Sequence, residues 1–94
     1  MFSISVNERG TVMLSGRFDA AQVERAREVF YTLNESAVVD FADLDYISSA
    51  GLGVLLASQQ RLNKAGKALK LVNMNRMIRD VFKIARFDLI FQIE

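Results

Sequence analysis

The sequence predicts a single α/β domain in the order β-β-α-β-α-β-α-β, a mixed sheet with an antiparallel N-terminal hairpin and helices mainly on one face. Three observations predict it. The chain opens with two short stretches of period-two alternation separated by a glycine turn. Stretches with helical spacing and cap residues then alternate with short β-rich runs, the pattern of successive βαβ units. Finally, 51% of the 94 residues are apolar, enough for one core in one domain over residues 1–94 without disulfides or metals.

Taken in order, Phe2, Ile4 and Val6 alternate with Ser3, Ser5 and Asn7, a strand with one buried face. Glu8-Arg9-Gly10 reads as a turn, and Thr11 to Ser15 as the returning strand with Val12 and Leu14 inward. Gly16-Arg17-Phe18-Asp19 leads into a helix. Asp19 suits its N-cap, Gln22 completes a capping box, and Phe18 and Val23 stand at the staple positions. Val23, Ala26, Phe30 and Leu33 form the inward stripe; Glu24, Arg25, Arg27 and Glu28 form the solvated side. Asn34-Glu35-Ser36 ends the helix, and Ala37 to Phe41 is a short central strand.

Leu52, Leu55, Leu56 and Leu62 give a second helix up to Ala65. Gly66 stands where a left-handed cap belongs, and Lys64 and Lys67 are suitably placed against the helix dipole. Leu69 to Asn73 is the next strand. Asn75 can cap a third helix with the apolar stripe Met77, Ile78, Val81, Phe82 and Ala85. Phe87-Asp88 breaks it, and Leu89, Phe91 and Ile93 make the last strand. Right-handed crossovers make the strands after the hairpin parallel; if each adds on the same side, all three helices share one face.

The absent residues exclude much chemistry. With no His and no Cys, the common zinc sites, Cys nucleophiles and Ser-His-Asp triads are out. A net charge of +1 argues against a nucleic-acid partner. No apolar run approaches the ~18–20 residues of a membrane span, and the N-terminus lacks a basic region followed by an apolar core, so a cytoplasmic protein without direct membrane insertion is expected. Charge is uneven: residues 1–60 hold four basic and eight acidic side chains, residues 61–94 eight basic and three acidic. We read the later cations as a solvated face. Asp40, Asp43 and Asp45 cluster between strand and helix, where paired carboxylates could bind Mg²⁺ or do acid–base work. We read them as a solvated loop plus one acidic residue near a strand end, and with no nucleophile–base pair in view we expect no enzyme. Gly51-Leu52-Gly53 lacks both the Lys-Ser/Thr ending of a P-loop and the third glycine of a dinucleotide fingerprint.

What remains is Tyr46 to Gly53, with Ser48 and Ser49 at the start of the second helix. A helix N-terminus offers unpaired N–H groups and about half a positive charge. Either serine can cap it, and a cap accounts for one of them. Gly51 and Gly53 thin the first turn, although glycine costs about 1 kcal/mol against alanine in a helix interior. Small residues there let another backbone, or a phosphate, approach closely. Gly51, Val54 and Ser58, with Ala57, read as a small, partly apolar outer stripe suited to protein docking. A phosphate at this helix start would be welcomed by the N–H groups while adding about −1.5 to −2 charge to the surface.

Val38-Val39-Asp40-Phe41 followed by Asp43-Leu44-Asp45-Tyr46-Ile47-Ser48-Ser49-Ala50-Gly51-Leu52-Gly53-Val54-Leu55-Leu56 resembles the signature of STAS domains, in particular the bacterial anti-sigma factor antagonists. The family pattern is approximately D-x-S-x-(V/L)-x-(F/Y)-(I/M)-D-S-S-G-L-G-x-L-L. Gly16-Arg17-Phe18-Asp19-Ala20 matches the family's G-x-(L/F)-D element, and Met77 to Ile93 its last helix and strand, so the resemblance covers essentially the whole chain.

The resemblance implies a binding switch with no cofactor, acting in transcription regulation. The unphosphorylated form binds an anti-sigma factor that is also a serine kinase and so releases a sigma factor. Phosphorylation at the start of the second helix loosens the complex, and a metal-dependent PP2C-type phosphatase resets it. The acceptor, the first serine of the D-S-S-G pattern, falls on Ser49. The second serine is Ala50 here and the Asp is Ser48, which leaves Ser48 as a rival acceptor. The implied partner-binding residues are Asp19, Ser48, Ser49, Ala50, Gly51, Leu52, Gly53, Val54 and Ala57, on a protein that is a monomer when free. The family also supplies an alternative: a cytoplasmic STAS subunit of a lipid-transport ABC complex, docking the same helix on a permease.

Overall fold

The computed structural model describes all 94 residues and follows the predicted order of strands and helices. Ser3–Val6 (β1) and Val12–Phe18 (β2) pair antiparallel, Val6 opposite Val12. Asn7 builds the turn between them: its Oδ1 accepts from the N–H groups of Arg9 (2.9 Å) and Thr11 (3.0 Å). Ala37–Ile47 (β3), Leu69–Val72 (β4) and Gln92–Ile93 (β5) then add parallel to β2 in sequence order, β1-β2-β3-β4-β5. The crossovers are Val23–Phe30 (α1), Ser49–Asn63 (α2) and Arg76–Ile84 (α3). Each moves the same way across the sheet, so right-handed connections put all three on one face.

Burial follows that arrangement. Val39, Phe41, Leu44 and Ile47 of β3 and Leu69 and Leu71 of β4 are buried, whereas Asp43 and Asp45 are exposed and Asp40 and Lys70 half-exposed. The uncovered face is held by polar cross-strand pairs. The Ser3 and Ser15 hydroxyls lie 2.8 Å apart, and the Arg17 guanidinium sits 4.2 Å from the centre of the Tyr46 ring. Lys70 Nζ lies 2.9 Å from Glu94 Oε2, and its hydrogen bond holds that carboxyl below the ordinary value.

Beneath the helices, Phe82 meets Phe41 (5.9 Å), Phe91 (6.0 Å) and Phe87 (6.1 Å) edge-on. α2 is buried around most of its circumference, polar residues included. Ser58 Oγ donates to the Val54 carbonyl (2.9 Å). Gln59 accepts from the Leu69 N–H (2.8 Å) and donates to the Ile90 carbonyl (3.0 Å), tying α2 to β4 and the C-terminal turn.

Several expectations are corrected, each for a physical reason. β3 continues six residues beyond Phe41, so Asp43 and Asp45 stand on the same strand as Asp40, not in a loop. Two register shifts against β2 (Met13↔Asp40 then Ser15↔Asp43; Gly16↔Leu44 then Arg17↔Tyr46) insert an extra β3 residue each time and break the period-two signal. β2 likewise runs through Phe18, with Gly16 at φ 81° and its α-carbon packed against the Met1 carbonyl, where a Cβ would have no room.

Asp19 caps a 3₁₀ turn at Ala20–Gln22, accepting from the Ala21 N–H at 3.1 Å; Gln22 makes no return bond, so the capping box is absent. α1 stops at Phe30 and leaves Leu33 outside it. Its open end is closed from afar: Arg61 Nη2 donates to the carbonyls of Phe30 (3.0 Å) and Leu33 (2.7 Å), and Lys67 to that of Asn34 (3.0 Å). These two cations therefore belong to the packing rather than to a merely solvated face.

The left-handed Gly66 (φ 75°) and the Asn75 cap, which accepts from the Ile78 N–H at 2.9 Å, stand where expected. Of the expected α3 stripe, Ile78 and Phe82 are buried, Val81 partly so, and Met77 and Ala85 face water. Leu89 lies in a 3₁₀ turn, exposed, and β5 is only two residues long. Of the expected inward residues of the first strand, Ile4 in β1 and Phe2 just before it are buried and Val6 is not.

Candidate functional site

The parallel strands β2 and β3 end side by side, Phe18 opposite Ile47, and the Ser48 N–H donates to the Phe18 carbonyl at 2.9 Å. Asp19 and Ser48, far apart in sequence, are thereby brought together outside the carboxyl ends of the sheet, where α/β folds commonly present their binding surfaces. Ser48 has extended backbone (φ −91°, ψ 172°), and its Oγ accepts from the Gly51 N–H at 3.3 Å. It is the N-cap of α2, half-buried. Ser49 is the first helical residue and is exposed. The sequence left the cap open between the two; the structure divides the roles.

Three of the expected partner residues face inward: Gly51, Leu52 and Val54 are buried, as is Ser58. The outer stripe read from Gly51, Val54, Ser58 and Ala57 is thus corrected, with Ala57 alone partly exposed. The reason is that α2 packs on two sides, against the sheet and against α1, so its small residues serve close packing. The surface presented at the helix start is Ser49 and Gly53, with Ser48, Ala50, Ala57 and Asp19 half-exposed around them.

The two glycines of the first turns do different work. A Cβ on Gly51 would lie 2.9 Å from Ile47 Cγ1 and 3.1 Å from both the ring and the carbonyl oxygen of Phe18, while one on Gly53 meets nothing within 4 Å. Gly51→Val is therefore expected to cost about 1–3 kcal/mol by overpacking. Gly53→Ala is expected to stabilise by about 0.5–1 kcal/mol, the ordinary helix-interior gain. Urea unfolding of both variants checks this; a tolerated Gly51→Val would contradict the inward placement.

The three aspartates do not assemble a site. Asp40 Oδ1 is engaged by the Ala42 N–H (2.8 Å) and Asn73 Nδ2 (3.2 Å), Asp43 and Asp45 are exposed, and no group of three acidic residues gathers as a metal would need. An open cleft of about 650 Å³ lies at the opposite end of the strands between Arg9, Asn34, Ser36 and Lys70, away from the serines. No helix is long and apolar enough to cross a membrane. The Arg17–Tyr46 stack, one residue before the strand ends, escaped sequence reasoning; only the pairing of β2 with β3 reveals it.

Comparison with known proteins gives a consistent assignment. The family model described as "Mlab, STAS domain" matches residues 4–92. BtrV of Bordetella bronchiseptica, provisionally named an anti-sigma factor antagonist, is 36% identical over 74 residues. That match covers 79% of this chain and 58% of BtrV, so the chain spans less than two thirds of that relative's length. Among solved structures, the anti-sigma factor antagonist SpoIIAA in its unphosphorylated form superposes with a TM-score of 0.73 at 22% identity, covering 100% of this chain and 87% of the other. The phosphorylated form of the Bacillus cell fate determinant SpoIIAA gives 0.72 at 22% identity, with 100% and 91% covered. At that identity the likeness is one of fold.

Proposed function

This chain belongs to the STAS domain family, and on that premise we propose that it is an anti-sigma factor antagonist switched by phosphorylation of Ser49. The observation that carries the reading is the division of labour at the start of α2: Ser48 Oγ is committed to the helix cap, while Ser49 stands exposed at the first helical position. Unphosphorylated, the surface around Ser49, Gly53, Ala50 and Ala57 docks on an anti-sigma factor that is also a serine kinase, and a sigma factor is released. A phosphate on Ser49 adds about −1.5 to −2 charge next to the free N–H groups of the first turn, which hold it in place while it repels the partner. A PP2C-type phosphatase removes it. The protein itself performs no catalysis, needs no cofactor and works in the cytoplasm.

The small, half-exposed side chains support docking by close approach, and the names carried by BtrV and SpoIIAA support the class of partner. The deciding experiment is a binding measurement between the purified chain and the anti-sigma kinase of its own organism, in parallel with any STAS-associated permease–ATPase complex. Binding to the kinase with release of the sigma factor is expected. Binding to the permease complex alone would replace this reading with that of a lipid-transport subunit.

A further inference from the structure

α3 carries a surface that the switch at Ser49 does not use. Met77 (66% exposed) and Ile84 (83%) stand two turns apart on one flank of the helix, and Leu89 (76%) and Ile90 (42%) follow beyond the left-handed Arg86 that ends it. Ile78 and Phe82 already anchor the helix to the core, so the exposed parts of these four apolar side chains are left over from its packing. On the same helix and just past it, Arg76, Arg79, Lys83 and Arg86 are all exposed. None takes part in the ion pairs of the chain, which join Arg27 to Glu24, Lys67 to Glu35 and Lys70 to Glu94. Against these four cations the same stretch sets only two carboxylates, Asp80 and Asp88. Exposed apolar residues grouped along one element and interspersed with charge mark interaction surfaces rather than ordinary solvated ones.

We propose that this strip docks an acidic amphipathic segment of a partner protein, with apolar side chains against Met77, Ile84, Leu89 and Ile90 and carboxylates against the surrounding cations. Charge complementarity selects the acidic partner. Exposed methionine and arginine around an apolar centre are the composition of protein interfaces. A membrane is the poorer occupant: interfacial helices sink a long apolar face under a lysine-rich one, whereas α3 is nine residues long and commits its main apolar face to the core. A second copy of this chain is poorer too. A two-fold pair of copies meeting strip to strip would set Arg76, Arg79, Lys83 and Arg86 against the same four cations of the other copy. The inference does not depend on the phosphorylation of Ser49.

The test uses a fluorescein-labelled synthetic amphipathic peptide of leucine and glutamate, with fluorescence anisotropy as the readout. The full chain should bind it, more weakly as salt rises. Ile84→Glu and Lys83→Glu should each weaken binding about tenfold or more, as a buried apolar anchor and a paired charge do at interfaces. Both side chains are exposed, so the variants keep their fold, checked by circular dichroism. Ser49→Asp should leave peptide binding unchanged while it weakens binding to the kinase, so the two readings can fail separately. The proposal is overturned if the peptide does not bind, or if neither variant alters its binding. It is equally overturned if phosphatidylglycerol vesicles bind in its place, or if sedimentation shows a dimer that Ile84→Glu dissolves.

Discussion

Ser49→Asp is expected to weaken binding to the anti-sigma kinase by about 10- to 100-fold, the scale of a like charge or an unpaired carboxylate placed in an interface. The same substitution should leave the fold slightly more stable. A carboxylate in the first turn of α2 favours the positive end of the helix by about 0.3–1 kcal/mol, and Ser49 makes no cap bond that the change would remove. The two signs distinguish the mechanism: a variant that unfolds loses affinity together with stability, whereas a charge at the docking surface lowers affinity alone. Titration calorimetry and thermal unfolding on the same samples give both. Ser49→Ala should bind like the wild type. Equal affinity for the aspartate variant would remove charge as the basis of the switch.

Phe82→Ala is expected to cost about 3–5 kcal/mol, the largest stability loss among the substitutions considered. The ring is fully buried and meets three others edge-on, from Phe41 in β3 and from Phe87 and Phe91 in the C-terminal turn, so its removal leaves a cavity with partly rigid walls. For a domain of this size that loss corresponds to a fall in the unfolding midpoint of about 12 °C or more. Met77→Ala, five residues earlier on the same helix, removes an apolar side chain that is 66% exposed and should change stability by no more than about 0.5 kcal/mol. Similar effects at the two positions in calorimetric melting would contradict the inward face assigned to α3.

The contrast between Phe82 and Met77 also marks where sequence reading runs out. Local chemistry was legible: Asn75 and Gly66 cap helices because their side chain and backbone freedom suit those positions whatever surrounds them. The strand order followed from short crossovers of one hand. The width of an apolar stripe was not legible, because an apolar residue kept for a partner looks like one kept for the core. The full length of β3 was hidden by two bulges that reset its alternation, which moved Asp43 and Asp45 from a loop onto the strand that holds Asp40. The partners of Arg61 lie 31 and 28 residues away as bare carbonyls, which no pattern of side chains announces.

At the site itself, the stretch from Ser48 to Gly53 was legible as the start of a helix, but its sides were not. α2 is apolar or small nearly all round, so periodicity could not say that Gly51 and Val54 face Phe18, Ile47 and the core while Gly53 faces water. Cap geometry then separated two adjacent serines that composition treats alike.

The central claim is that Ser49, and not its neighbour, accepts the phosphate. Incubation with the anti-sigma kinase and ATP, followed by intact mass and peptide mapping, tests it on the wild type, Ser49→Ala and Ser48→Ala. The account predicts one phosphate on Ser49 in the wild type, none in Ser49→Ala, and one retained in Ser48→Ala despite a loss of about 0.5–2 kcal/mol from the missing cap. A phosphate that maps to Ser48, or that persists in Ser49→Ala, would contradict it.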